Sequence, residues 1–286
     1  MRVAIYGRQE SAKNTKQLVE ILHFLKENGI ETELHSDLLP YQNSHSGGVF
    51  GSYQDLNPVD VMISIGGDGT LLDTLTLIRD REIPVLGVNT GRLGFLANVN
   101  TDRLHQALNA MINGQLKQES RMLIRASSEG LDFNGFDCAL NEATLHKNDT
   151  SSMISIKVNV DNTFMNNYWA DGLIVCTPTG STAYSLSCGG PIVMPTSDNF
   201  SITPIAPHNL NVRPMVLSSN CSITIKAEGR EDQFLFTLDS RSFTVDAGRE
   251  IKLEKAPYAM RLLNFEDQDF FSTIRKKMMW GIDKRN

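Results

Sequence analysis

The spacing of hydrophobic positions changes partway along this chain, and the change divides it in two. Residues 2–7 (RVAIYG) are an apolar run ending at a glycine, as in a buried strand. Leu18, Ile21, Leu22 and Leu25 then recur at i, i+3, i+4 and i+7, which predicts one face of an amphipathic helix within 11–28, stopped by Gly29. ETELHSD is a second extended stretch. Residues 40–58, rich in Gly, Ser, Asn and Gln between two prolines, predict a mobile surface loop. Val59–Ile65 predicts a buried strand, the residues after GGDGT a helix, and Ile83–Val88 another strand. In DRLHQALNAMING, Leu104, Ala107, Leu108 and Met111 share a helical face, and Gly114 is the stop. Strand and helix alternating in this way predict an open parallel α/β sheet.

Beyond about residue 118 the period becomes two. Ile154, Ile156, Val158 and Val160 face one way, and Ser155, Lys157 and Asn159 the other. Asp161-Asn162 reads as a turn before TFMNNYWA. CSITIKAE alternates likewise, as does FLFTLDSRSFTV around a polar turn. These are half-buried antiparallel strands, and they predict a second, all-β domain. DFFSTIRKKMMW is helical again. Phe271, Ile274 and Met278 lie on one face, and Arg275, Lys276 and Lys277 near its end suit the helix dipole. The boundaries read from these patterns give an α/β domain over 1–117 and an all-β domain over 118–255.

Composition narrows the function. The chain has 286 residues, room for about two domains, and its 41% apolar and 21% charged content is that of a globular protein. With 27 basic and 33 acidic residues the formal charge is −6. That argues against nonspecific nucleic-acid binding, which needs a basic surface, and against an anionic membrane. No apolar run approaches the roughly 20 residues that span a bilayer. Cys138, Cys176, Cys188 and Cys221 form no CxxC pair and read as reduced thiols. The six histidines show no HExxH spacing, which argues against zinc. These features predict a soluble cytoplasmic protein.

Two segments carry chemistry. Gly66-Gly67-Asp68-Gly69-Thr70 lies between a strand and a helix, where the strand ends of an open α/β sheet face the ligand crevice. Glycine backbone can approach an anion closely there, and the helix N-terminus adds positive dipole, so phosphate fits. Asp68 would repel phosphate. It fits instead a base acting on an attacking hydroxyl, or a ligand to a metal or its waters. The plainer alternative is a tight turn with Asp68 as helix N-cap. GxxxxGK[ST] is absent, and no GxGxxG follows the first strand, which weakens the P-loop and dehydrogenase readings. The second segment runs from Asp171 through LIVC to Thr177-Pro178-Thr179-Gly180-Ser181-Thr182. Its neutral donors and small bulk suit a ribose and phosphates; the alternative is an ST-turn and helix cap. Asn141-Glu142 is a weaker signal, able to read adenine and ribose hydroxyls or to form a solvated turn.

In this order GGDGT, Asn141-Glu142, DGLIVCTPTGSTAYSLS at 171–187 and APHNLNVRP at 206–214 resemble the ATP-NAD kinase family, bacterial members included. The similarity runs from about residue 2 to 265. It implies an α/β domain, then a β-sandwich-like NAD-binding domain, with the last helix and its neighbours, 256–286, packing back on the first. It implies transfer of phosphate from ATP, or another donor, to the 2′-hydroxyl of the adenosine ribose of NAD, giving NADP, with Mg²⁺ or another divalent metal. On matched positions Asp68 is the catalytic base. Gly69, Phe95, Asn141, Glu142, Asp171, Thr182, Ala183, Tyr184, Ser185 and Ser187 contact NAD, and Gly66, Gly67 and Thr70 hold the phosphate donor. No residue is assigned as a metal ligand. The resemblance also implies a homo-oligomer, dimer or tetramer. Trp169 stands where many bacterial members have Arg, so that stacking replaces a charged contact. His208 resembles a family position near the site, but a lone histidine is more often structural. A lipid kinase sharing GGDGT, and a noncatalytic NAD(H)-binding regulator, are the alternatives.

Overall fold

The apolar runs of the first part become the strands of a parallel sheet. In the computed structural model, residues 1–8, 15–41, 47–91, 94–148 and 152–280 are described. The start of the first expected helix, residues 42–46 of the expected loop, and Arg92 and Leu93 of GRLGF lie outside the described residues. The chain forms two compact units. One comprises Met1–Ser120 and Met260–Asn286, the other Arg121–Ala259.

In chain order the first unit contains β1 (Arg2–Gly7), α1 (Thr15–Glu27), β2 (Glu31–His35), β3 (Gly48–Phe50), β4 (Val61–Gly66), α2 (Asp68–Ile78), β5 (Val85–Asn89), β6 (Val99–Asn100) and α3 (Leu104–Ile112). The strand order is β3-β2-β1-β4-β5, parallel at every step. The helical faces read from the sequence are buried. Leu18, Ile21, Leu22 and Leu25 of α1, and Leu104, Ala107, Leu108 and Met111 of α3, share one core with Val3, Ile5, Ile63 and Leu86. Burying each of the larger of these side chains contributes about 1.5–3 kcal/mol. On the opposite face Leu71 of α2 lies so close to Gly87 that a Cβ there would collide with it. The expected loop at 40–58 needs correction, since it contains β3, with Phe50 fully buried. Only Val49 and Phe50 are apolar in GGVFG, too short a run to show a period.

The second unit is made by β7 (Lys117–Ser127), β8 (Cys138–Ala139), β9 (Glu142–His146), β10 (Ile154–Val160), β11 (Thr163–Ala170), β12 (Gly172–Cys176), the single-turn α4 (Tyr184–Ser187), β13 (Asn199–Ile205), β14 (Met215–Ser218), β15 (Ile223–Glu228), β16 (Gln233–Leu238), β17 (Arg241–Asp246) and β18 (Glu250–Asn264). One sheet is antiparallel with order β14-β13-β12-β9-β16-β17; the other layer runs β11-β10-β15-β18, with β7 beside β18 and β8. Inward residues of both layers, such as Ile156, Val158 and Ile225 against Leu145, Val175 and Phe236, form one core. This is the all-β domain the period-two patterns predicted, in the sandwich form the resemblance implied. Asp161 and Asn162 both take positive φ (48° and 64°), as a two-residue hairpin turn requires.

Strand β18 leaves the second unit and ends in the first, where Leu262 pairs with Val85. Helix α5 (Phe270–Met278) follows in the first unit, as the resemblance implied. Of its apolar face, Ile274 is buried and Phe271 is exposed.

Candidate active site

In the first unit the chain turns from β4 into α2 through Gly66 and Gly67. Gly66 takes φ +155°, and a Cβ there would strike the Thr70 side chain, so the bend requires glycine at this position. At Gly67 nothing lies within 4 Å of an added Cβ. Thr70 is buried over Gly66, and its N–H donates to the Gly67 carbonyl (3.0 Å). The N–H groups of Asp68 and Gly69, in the first turn of α2, have no intrahelical acceptor.

Asp68 does not cap its own helix. The N-cap is Gly67, with no side-chain cap bond. The Asp68 carboxylate instead accepts three consecutive backbone N–H groups, Phe95 on Oδ2 (2.8 Å) and Leu96 and Ala97 on Oδ1 (3.0 Å each). A Cβ at Gly94 would fall on the carboxylate, so the glycine of the GF pair makes room for it. The geometry thus brings Asp68 and Phe95 together. It adds Lys277 of α5, whose Nζ lies 3.7 Å from Asp68 Oδ2 and 4.2 Å above the Phe95 ring. Arg8 pairs with Asp73 (2.5 Å) and donates to the Gly69 carbonyl (3.2 Å). Sequence reasoning passed over both cations. Lys277 stood in a basic run that served the helix dipole, and Arg8 has no local signal.

In the second unit Asn141 and Glu142 are buried rather than a solvated turn. Their backbone is clamped by Asp239, in the β16–β17 turn. The Asp239 carboxylate accepts N–H from Leu140 (2.8 Å), Asn141 (2.8 Å) and Glu142 (3.2 Å). A Cβ at Gly180 would strike the Asn141 backbone, which explains the glycine of TPTGST. Glu142 Oε2 makes no hydrogen bond among the described residues. Burial, and then the neighbouring Asp239, pushes the Glu142 carboxyl up to about 8, against a backbone N–H from Tyr184. Burial likewise raises the Tyr184 hydroxyl, with smaller contributions from Asp171 and Glu142 among others, so these three side chains share one neighbourhood.

The hydroxyl-rich loop splits into two sets. Thr177 donates to the Leu140 carbonyl (2.6 Å), Ser181 to the Pro178 carbonyl (2.7 Å), and Ser185 bonds Thr203 (2.8 Å). These hydroxyls serve the loop itself, as the ST-turn alternative holds. Thr182 and Ala183 are partly exposed, and Tyr184 and Ser187 are exposed. Asp171 carries an ion pair with Lys147 (2.5 Å), a residue the sequence reading did not single out. Trp169 is exposed, its ring 5.9 Å from that of His208, whose N–H donates to the Trp169 carbonyl (2.8 Å). That is a structural setting for His208.

Among the described residues no group of three or more His, Cys, Asp or Glu side chains is arranged to hold a metal ion. None of their helices is long and apolar enough to cross a membrane. The four cysteines are free, and burial pushes Cys138 up to about 12 and Cys176 to about 11.

Comparison with known proteins matches residues 50–116 to the family description "ATP-NAD kinase N-terminal domain" and residues 140–265 to "ATP-NAD kinase C-terminal domain". A protein of Cytophaga hutchinsonii named NAD kinase is 41% identical over 292 residues, with all of both chains covered. One of Flavobacterium johnsoniae with the same name is 40% identical over 294 residues, again with complete coverage. Among solved structures, a yeast NADH kinase complexed with NADH shares the fold, with TM-score 0.88 at 23% identity, over 99% of this chain and 89% of that one. An NAD kinase from Archaeoglobus fulgidus in complex with ATP gives TM-score 0.76 at 27% identity, over 96% and 99% of the two chains.

Proposed function

Because the chain belongs to the ATP-NAD kinase family, and is on that ground a phosphotransferase that phosphorylates NAD, we propose that it uses ATP and that Asp68 acts on the 2′-hydroxyl of the adenosine ribose. The observation that carries this reading is the Asp68 carboxylate. Three amides fix its orientation, the side chain is 30% exposed, and among the described residues Oδ2 accepts one N–H. The free lone pair of Oδ2 is what an acceptor hydroxyl needs. Phosphoryl transfer asks little covalent chemistry of a protein; positioning and charge supply most of the rate. Asp68 orients the hydroxyl and takes its proton as the new P–O bond forms.

The α2 start carries the donor phosphates. Gly66 and Thr70 set the bend, the open space over Gly67 admits an anion, and the N–H groups of Asp68 and Gly69 point outward with the helix dipole behind them. NAD is held by Gly69 and Phe95, and by Asn141, Glu142, Asp171, Thr182, Ala183, Tyr184, Ser185 and Ser187. Ser185 contributes through its backbone, because its hydroxyl is bonded to Thr203. Protonated Glu142 offers one donor and one acceptor to a sugar hydroxyl. As functional domains, 1–117 with 256–286 carry the transfer groups and 118–255 the NAD-binding groups.

The residues present do not fit a resident metal. Among the described residues no three His, Cys, Asp or Glu side chains converge here, and Asp73 is paired with Arg8. A divalent ion fits this chain as part of the donor nucleotide, on its phosphates. The buried, unreactive Cys138 and Cys176 suit a reducing cytoplasm, and the family resemblance supports a homo-oligomer. The test is Asp68→Asn, assayed for NADP formation with ATP and then with polyphosphate. Turnover is expected to fall about 10²-fold or more, with NAD binding retained. Near-normal turnover would remove Asp68 from this role.

A further inference from the structure

Among the described residues Lys277 is the cation in ionic contact with Asp68, and its geometry is unlike that of a structural ion pair. The ammonium lies 3.7 Å from Oδ2, too far for a hydrogen bond, and it makes none among the described residues. With respect to the described residues all three of its N–H donors are therefore available. The Phe95 ring, 4.2 Å away, holds it by a cation–π contact without using those donors. Arg8, by contrast, is committed to Asp73 and to the Gly69 carbonyl.

The position of Lys277 is fixed by the chain around it. Gln268 donates to the Asn98 carbonyl (2.6 Å), one residue beyond the amides that bind Asp68, and Asp267 pairs with Arg103 (3.1 Å). Asp269 caps α5 through the Ser272 N–H (2.8 Å), and buried Ile274 docks the helix. Both ends of the Asp68–Lys277 contact thus rest on the segment 95–103.

We propose that Lys277 is a further catalytic residue, whose ammonium donates to the oxygens of the phosphoryl group as it passes to the hydroxyl held at Asp68 Oδ2. The step balances. The hydroxyl oxygen bonds the γ-phosphorus, the bond from phosphorus to the β–γ bridging oxygen breaks, its electron pair leaves on ADP, and the hydroxyl proton goes to Asp68. Charge spreads over the equatorial oxygens in such a transfer, and a preorganised cation beside them is worth more than one in water. Lys277 enters the cycle as the partner of one anion and serves the next. This inference rests on the proposed role of Asp68.

The test compares Lys277→Met, Lys277→Arg and Asp68→Asn in the full chain, with ATP and NAD as probes. For Lys277→Met, kcat is expected to fall about 10²-fold, the scale of one lost charge-stabilising donor. The NAD dissociation constant should stay within about threefold, and the melting temperature should not change, since the ammonium holds no hydrogen bond. Lys277→Arg should recover kcat to within about tenfold of the parent, which a role in helix docking does not require. A Lys277→Met kcat near the parent value, beside a slow Asp68→Asn, overturns the proposal and leaves Asp68 in place. A fast Asp68→Asn overturns the reading beneath it. Weakened NAD binding with unchanged kcat also overturns the proposal. Should the methionine variant melt early, Lys277→Gln is measured in its place by the same criteria.

Discussion

Asp68 and Asp239 use the backbone in the same way. Each accepts three consecutive N–H groups, of residues 95–97 and 140–142, with the first on Oδ2 and the next two on Oδ1. Their surroundings differ. Asp68 is 30% exposed with an ammonium beside Oδ2. At Asp239 burial raises the carboxyl above the usual range despite the three donors, and Glu142 is its neighbour. One hydrogen-bond pattern thus serves as a staple among the buried residues 140–142, and elsewhere leaves a carboxylate with an ammonium beside one oxygen.

The sharpest way to break this pairing is to remove the staple. Asp239→Ala leaves the N–H groups of three buried residues, Leu140, Asn141 and Glu142, without their acceptor, and an unfolding midpoint in urea should report a loss of about 3 kcal/mol or more. A loss below about 1 kcal/mol would mean that water replaces the carboxylate. Asp68→Asn comes next. Its cost lies in turnover, about 10²-fold, while its stability should change by less than that of Asp239→Ala, because the site is open to solvent. Equal stability losses would erase the distinction.

A smaller effect follows from Glu142. Its folded-state value of about 8 stands above the ordinary 4.5, so between those values the folded chain binds more protons than the unfolded chain. Stability therefore falls as pH rises through that window. Glu142→Gln should flatten the decline in melting temperature between about pH 5 and 8; parallel slopes would show that Glu142 is not the group responsible. The smallest effect is at Gly67, where an added Cβ meets open space at φ −96°. Gly67→Ala should alter stability by no more than about 0.5 kcal/mol while raising KM for ATP. A large destabilisation there would make that glycine a folding requirement instead of a ligand one.

Much of the fold was legible because its signals are local. Leu104, Ala107, Leu108 and Met111 announce their face within two turns, and Asp161-Asn162 announces its hairpin in two residues. The glycine bend at 66–70 was legible for the same reason. What could not be read is held by distant partners. Asp239 sits in a sequence, LDSR, that looks like any polar turn, and its acceptor role lies 98 residues from Asn141. Lys277 is one of three neighbouring basic residues, and only the fold selects it. The hydroxyl loop shows the converse. Its density of Ser and Thr was plain, but which side chains turn inward was decided by Leu140, Pro178 and Thr203.

The first unit is assembled from two separated stretches, with 139 residues, Arg121–Ala259, between them. A ribosome therefore releases Val85–Asn89 long before Leu262, its strand partner, emerges. Until then the Val85 end of that flank, beyond the pairing with β6, stays open, the kind of edge on which nascent chains stick to one another. The ammonium that meets Asp68 arrives later still, so vectorial synthesis completes this corner of the first unit only after the whole sandwich has left the tunnel.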